Sequence, residues 1–444
     1  MKRRTLALIG LVAYLIAAGV PAVWLFTTKA AAQSPAQARS VPVFEVDQAW
    51  PKLPPQFKLG VASSFAIDAQ DNVWLLHRPR TLKPEDSGKA APAIVVFDAA
   101  GNFMKAWGGA GSGYDWPERE HGIHIDHKGF VWIGGNNCPT SGLAGLKPVA
   151  DDAYLKFTPD GSFVLQIGRS NQSKGDVDTV NVHRAADAWV HAPTNELFVA
   201  DGYGNHRVIV FDADTGAFKR MWGAFGKPPG GEDSCAVVSP KTFPDAEGPA
   251  HFNVAHAIRV ANDGMVYLAD RENRRVQMFT NDGKFVKQLI RTGTTFARNL
   301  ALSADAGQQF LYVGADKGIT VVDRKTLDVV GTIQPSGILG PGHHIATDSK
   351  GNIISRKPPP ECRSWYSKGC RRPNSRMPAR SGRGARDGHA CRAQSICSWQ
   401  KPNHSQRRGR RFLYARSDGG PNTGGRCAGV REPFPKATES QTIS

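Results

Sequence analysis

The sequence predicts an all-β fold, a six-bladed β-propeller spanning residues 41–353, on three observations. Short apolar strands alternate with Gly, Asn and Asp turns at a spacing of about 8 to 12 residues, the pattern of successive hairpins rather than of helices. The unit recurs at about 40 to 45 residues, the length of a four-stranded blade. One phase also persists through the whole repeat. Counting back eight positions from the turn residue of each first strand gives Ser64, His121, Asp187, His256, Asn299 and His343. The innermost strand of a blade lines the central channel, so six positions in equal phase are neighbours at one height.

The elements before and after the propeller follow from composition. Lys2, Arg3 and Arg4 precede an apolar run from Leu6 to Phe26, then Ala30, Ala31, Ala32 and a Ser/Pro/Gln/Ala-rich spacer to Ser40. This is an export leader. Its apolar run is close to the roughly 20 residues of a membrane span, so residues 6–26 are either removed or kept as a membrane anchor. Either way the body is extracytoplasmic, periplasmic or secreted.

Within the body, two repeat copies match closely. Val199-Ala200-Asp201-Gly202-Tyr203-Gly204-Asn205-His206-Arg207 leads into Val208-Ile209-Val210-Phe211-Asp212, and Leu268-Ala269-Asp270-Arg271-Glu272-Asn273-Arg274-Arg275 leads into Val276-Gln277-Met278-Phe279. Weaker copies end at Phe97-Asp98, Phe157 and Val322-Asp323. Cys138 and Cys235 allow at most one disulfide, which a core of this size does not require.

Net charge is +17, a value that suggests a nucleic-acid partner until it is located. Residues 354–444 carry 20 basic and 5 acidic side chains, a net of +15, leaving +2 for residues 1–353. The leader supplies that remainder, so the propeller is slightly acidic and no nucleic-acid partner is expected. The tail itself, residues 354–444, is a basic, low-order segment rich in Arg, Ser, Pro, Gly and Cys, with no repeat. Those residues have GC-rich codons, and their joint excess is what off-frame reading of a GC-rich gene produces. With one T restored before the codon of Ile354, a permitted codon choice for Ile354 to Trp365 reads Tyr-Leu-Ala-Glu-Thr-Thr-Ala-Arg-Met-Gln-Lys-Leu. That string supplies the strand, acidic turn and strand that the sixth blade requires. The tail is therefore read as frameshifted, the last blade as incomplete, and the segment Val43–Val46 as a candidate closing strand.

Three of the six channel positions are His: His121, His256 and His343. Three neutral imidazoles with a fourth position left to water or substrate are the ligand set of an open zinc site. Arg78, Tyr203 and Arg271 each follow the second strand of their blade, which puts them on the same face. Two pairings remain open for Arg271: a substrate anion, or a salt bridge to Asp270 or Glu272.

The strings Asp201–Asn205, Ala269–Asn273, Ile167-Gly168-Arg169-Ser170 and Val254-Ala255-His256 resemble the lyase domain of the peptide-amidating enzymes, peptidyl-α-hydroxyglycine α-amidating lyase, an NHL-repeat propeller. The likeness runs from about residue 60 to residue 353 with the motifs in the same order. It implies zinc on His121, His256 and His343, Tyr203 as catalytic base, and Arg78 and Arg271 as carboxylate-binding residues. It further implies a carbon–nitrogen lyase that cleaves a peptidyl-α-hydroxyglycine, a small-molecule or peptide substrate, to an amide and glyoxylate. The sequence departs from the family at three places. Pro341 replaces a Met, the family's disulfide cysteines fall on Gly204, Leu268 and Met278, and the carboxylate that binds the family's structural calcium is His344, which argues against calcium. The alternatives are a non-catalytic NHL propeller that binds a peptide or protein, and a calcium lactonase, for which only Asp187 and Asn299 fit.

Overall fold

The computed structural model describes residues 44–47, 50–141, 145–237, 247–290, 297–315, 318–333, 343–356 and 410–415. The leader, and most of the segment read as frameshifted, lie outside the described residues. Among the described residues no helix is long and apolar enough to cross a membrane.

The structure is the expected propeller. Five blades are complete four-stranded antiparallel sheets, each built from consecutive strands. Blade 1 comprises Val61–Ile67, Val73–Arg78, Ile94–Phe97 and Phe103–Trp107, and blade 2 comprises Glu120–Ile125, Val131–Gly135, Ala153–Phe157 and Phe163–Gly168. Blade 3 runs through Asp187–His191, Glu196–Asp201, Arg207–Asp212 and Phe218–Trp222, and blade 4 through Ala255–Val260, Val266–Asp270, Arg275–Phe279 and Phe285–Ile290. Blade 5 holds Asn299–Leu302, Phe310–Ala315, Gly318–Asp323 and Val329–Ile333.

The sixth sheet is different. Its inner strands are Ile345–Thr347 and Ile353–Arg356, so the repeat continues three residues beyond Ile353. The next strand in space is Arg410–Ala415, which runs parallel to Ile353–Arg356, and outside it lies Phe44–Asp47, parallel again. The N-terminal segment thus contributes a strand to the last sheet, as the sequence suggested it could.

Inner strands meet in cyclic order, and that of the sixth sheet meets that of blade 1, so the ring closes. The alternating apolar residues of facing blades explain the closure. Trp74, Leu76, Ile94 and Val96 of blade 1 pack on Ile123, Ile133, Leu155 and Phe157 of blade 2. Ile345 and Ile353 of the sixth sheet pack on Tyr312, Ile319 and Val321 of blade 5, while Ala346 and Ile354 pack on Phe65, Leu75 and Val95 of blade 1. Each fully buried Val, Leu, Ile or Phe side chain among these stabilises the ring by about 1.5–3 kcal/mol.

A buried histidine outside the channel gives the fold a predictable pH dependence. His77, fully buried on the second strand of blade 1, accepts from the Gly60 amide through Nδ1 at 3.2 Å and contacts the Pro92 carbonyl through Nε2 at 2.9 Å. Burial lowers its pKa to about 4, outweighing the two carbonyls that favour the cation. Between about pH 6.5 and pH 4 the unfolded chain therefore binds a proton that the folded chain refuses, and stability falls as pH falls through that window. Wild type is expected to lose about 3 kcal/mol more than His77→Gln between these pH values. Parallel stability profiles from denaturant melts would refute this.

Candidate metal centre

The channel positions read from the repeat phase converge. His121 and His256 are buried, His343 is half-buried, and their candidate ligand nitrogens all lie within 4.8 Å of one another. Each ring is fixed by the next blade. His121 Nδ1 lies 2.6 Å from the Ala186 carbonyl, His256 Nδ1 2.5 Å from that of Arg298, and His343 Nδ1 2.9 Å from that of Ser63. A Nδ1–H donated to a backbone carbonyl sets the tautomer that leaves Nε2 as the ligand atom. His256 Nε2 is buried and without a hydrogen-bond partner. An orphaned imidazole nitrogen that faces two others is the arrangement a metal ion satisfies.

The three remaining channel positions perform the reciprocal task. Ser64 Oγ accepts from the amide of Ile123, Asp187 Oδ2 from that of Ile258, and Asn299 Oδ1 from that of Ile345. Each of these amides lies two residues after a channel histidine. Blades 1, 3 and 5 therefore hold the histidine strands of blades 2, 4 and 6 from both sides, with pseudo-threefold regularity. This role was missed in the sequence, although the alternation Ser, His, Asp, His, Asn, His was visible there.

All three imidazoles are held neutral. Burial is the main cause, followed for His121 by the other two histidines, for His256 by Arg271 and for His343 by Arg78, and each pKa is pushed well below the ordinary value. Neutral imidazole is the form that binds metal.

Tyr203 and Arg271 sit on equivalent turns, and the repeat explains why. Asp201 Oδ2 accepts from Arg207 Nε at 2.9 Å and from Asn205 Nδ2 at 2.8 Å. Asp270 Oδ2 does the same with Arg275 and Asn273, both at 2.8 Å. These buried ion pairs clamp the loops that carry the two side chains. The glycines beside Tyr203 are required by close approach: a Cβ on Gly202 would lie 2.2 Å from the Ala255 carbonyl oxygen, and one on Gly204 would meet the His183 ring at 2.0 Å. On the other turn, the Arg271 amide donates to the carbonyl of Val254, a β-branched residue at φ 63° just ahead of the His256 strand. Such strain is held only where surrounding structure enforces it.

The Tyr203 hydroxyl is 3.1 Å from His121 Nε2 and accepts from Arg271 Nη1 at 2.7 Å. Arg271 Nε binds Glu272 Oε1 at 2.6 Å, while Asp270 is taken by Arg275. Of the two pairings open for Arg271 in the sequence, the salt bridge forms with Glu272, and another guanidinium nitrogen still faces the site. Arg78 donates through Nε to the Glu120 carbonyl at 2.8 Å, next to His121. Cys138 and Cys235 form a disulfide that ties the loop after the second strand of blade 2 to the loop after blade 3. The sequence allowed this bond but gave no need for it, because a core of this size does not require a disulfide; the two cysteines are 97 residues apart.

This geometry defines the class: a β-propeller with three histidines converging in its channel beside a tyrosine and two arginines. Comparison with known proteins narrows the class. The chain is similar to probable peptidyl-alpha-hydroxyglycine alpha-amidating lyase pgal-1 of Caenorhabditis elegans, 24% identical over 295 residues that cover 63% of this chain and 73% of the relative. It is also similar to peptidyl-alpha-hydroxyglycine alpha-amidating lyase 2 of Drosophila melanogaster, 25% identical over 257 residues, 54% of this chain and 52% of the relative. NHL repeat-containing protein 3 of Homo sapiens is 25% identical over 242 residues, 54% of this chain and 57% of the relative. The chain spans only 26% of the length of peptidyl-glycine alpha-amidating monooxygenase B of Xenopus laevis. No family model matches the sequence. The protein is thus an NHL-type propeller resembling the amidating lyases.

Proposed function

We propose that the protein is an extracytoplasmic, zinc-dependent lyase that cleaves a peptidyl-α-hydroxyglycine to a peptide amide and glyoxylate. The observation that carries this reading is the Tyr203 hydroxyl, placed between Arg271 Nη1 and His121 Nε2 at the edge of the histidine triad. His121, His256 and His343 would hold the zinc, and the bound ion supplies Lewis-acid polarisation of the substrate hydroxyl. Tyr203 Oη takes the hydroxyl proton. The electron pair left on that oxygen becomes the carbonyl of glyoxylate as the carbon–nitrogen bond breaks, and the proton passes to the departing amide nitrogen. Arg78 and Arg271 hold the substrate carboxylate, for which the planar guanidinium fork suits better than an ammonium. Glu272 neutralises part of the Arg271 charge and fixes its orientation. An exported location follows from the leader, and the disulfide agrees with an oxidising compartment.

Release of glyoxylate from a synthetic peptidyl-α-hydroxyglycine tests the reading. Tyr203→Phe, which keeps the ring and removes the oxygen, is expected to lower kcat by at least about 100-fold, the lower end of what a positioned base contributes. A variant that turns over like wild type would exclude Tyr203 as the base. The second reading, a propeller that binds a peptide or protein partner without cleaving it, is favoured by the similarity to NHL repeat-containing protein 3. A metal-loaded wild type that binds the substrate and releases no glyoxylate would establish it.

A further inference from the structure

We infer that the Arg259 guanidinium stands in this channel where the resembled lyases carry a structural calcium ion, so that a protein cation closes the propeller axis and the fold does without calcium. The inference rests on the resemblance and not on the lyase activity. The carboxylate expected after the third histidine is His344. A carboxylate is present at this level, but it comes from the opposite blade and is already neutralised. Asp187 of blade 3 accepts from Arg259 Nη1 of blade 4 at 2.6 Å, and Arg259 Nη1 also reaches its neighbour's carbonyl, that of Ile258, at 2.5 Å. His344 Nε2 of the sixth sheet lies 3.8 Å from Asp187 Oδ1. Blade 3 and the sixth sheet face each other across the ring, so these two side chains approach one another across the channel.

All three side chains are buried, Asp187 at 1%, Arg259 at 5% and His344 at 2% exposure. Burial raises the Asp187 pKa, but Arg259, foremost among its partners, brings it to about 2, so the carboxylate is charged. Arg259 is fixed in place over the Trp189 ring at 5.0 Å, and that ring packs against His124 at 4.7 Å. A calcium ion needs six to eight oxygen ligands, carboxylates prominent among them. The side chains named here offer it one carboxylate, an imidazole and a resident guanidinium. The residues do not fit calcium, and they already hold a paired charge of the same sign in its place.

The full chain, freed of calcium on a chelating resin and resupplied with zinc chloride, decides the question. Wild type is expected to melt within about 1 °C of the same temperature with and without millimolar calcium chloride, and to give no calcium-binding heat. A micromolar calcium site would raise the melting temperature by roughly 5 °C under those conditions, and that result would overturn the inference. Arg259→Met, which leaves a buried carboxylate uncompensated, is expected to melt well below wild type, to gain nothing from added calcium, and to recover with a second change, Asp187→Asn. Arg259→Met melting like wild type would also overturn it. If Arg259→Met does not fold, the double variant is expected to fold and to ignore calcium. The wild-type comparison stands alone in any case, and none of these measurements requires a substrate.

Discussion

His256→Ala is expected to leave a folded propeller that has lost its metal. Its glyoxylate release should fall to the level of protein-free buffer. His256 Nδ1 is committed to the Arg298 carbonyl, and Nε2 is buried with no protein partner. Removing this ring deletes one of three donors, and neither of the other two can swing across to replace it, since their Nδ1 atoms are tied to Ala186 and Ser63. Loss of a mere hydrogen-bond partner of a metal ligand lowers affinity by about 10–100-fold, so loss of the ligand itself is expected to exceed about 100-fold. Metal analysis of purified wild type should give one zinc per chain, and His256→Ala should give none after dialysis, with an unchanged circular dichroism spectrum. Stoichiometric metal in the variant, or a folded wild type that takes up no metal from zinc-containing buffer, would reject the site.

The triad was legible in the sequence because a propeller converts equal phase in the repeat into equal height in the channel. No side-chain contact had to be guessed to place His121, His256 and His343 together. The roles of Ser64, Asp187 and Asn299 were not legible, because they act on backbone amides of the neighbouring blade, and the backbone has no residue signature. Arg271 was half legible: its turn was placed correctly, but the choice between Asp270 and Glu272 depends on Arg275 having claimed Asp270 first. The Cys138–Cys235 bond and the Arg259–Asp187 pair join residues 97 and 72 positions apart. Only the packed blades bring such residues together, and the local pattern contains no trace of it.

The sixth sheet leads to the prediction with the largest effect on stability. In every complete blade the third strand runs antiparallel to the second and follows it in the chain. In the sixth sheet, residues 357–409 intervene before the next strand, and Arg410–Ala415 pairs in parallel. A hairpin cannot make that connection; a parallel pairing needs a crossover. This break follows Arg356, three residues past the point where the sequence repeat stops, and restoring one nucleotide before the codon of Ile354 yields a strand, an acidic turn and a second strand. A frame-restored chain would therefore complete the blade with consecutive antiparallel strands and cover the edge that Ile353–Arg356 otherwise presents to a non-repeat segment. Two or three additional buried apolar side chains are worth about 5 kcal/mol, and in a domain of this size that corresponds to a rise in Tm of roughly 10 °C. The frame-restored chain is expected to melt reversibly at that higher temperature, while the chain as given aggregates on heating. Sequencing the locus tests the same idea at its source. An intact reading frame, together with equal and reversible melts for the two chains, would show that the parallel strand is the native completion of the ring.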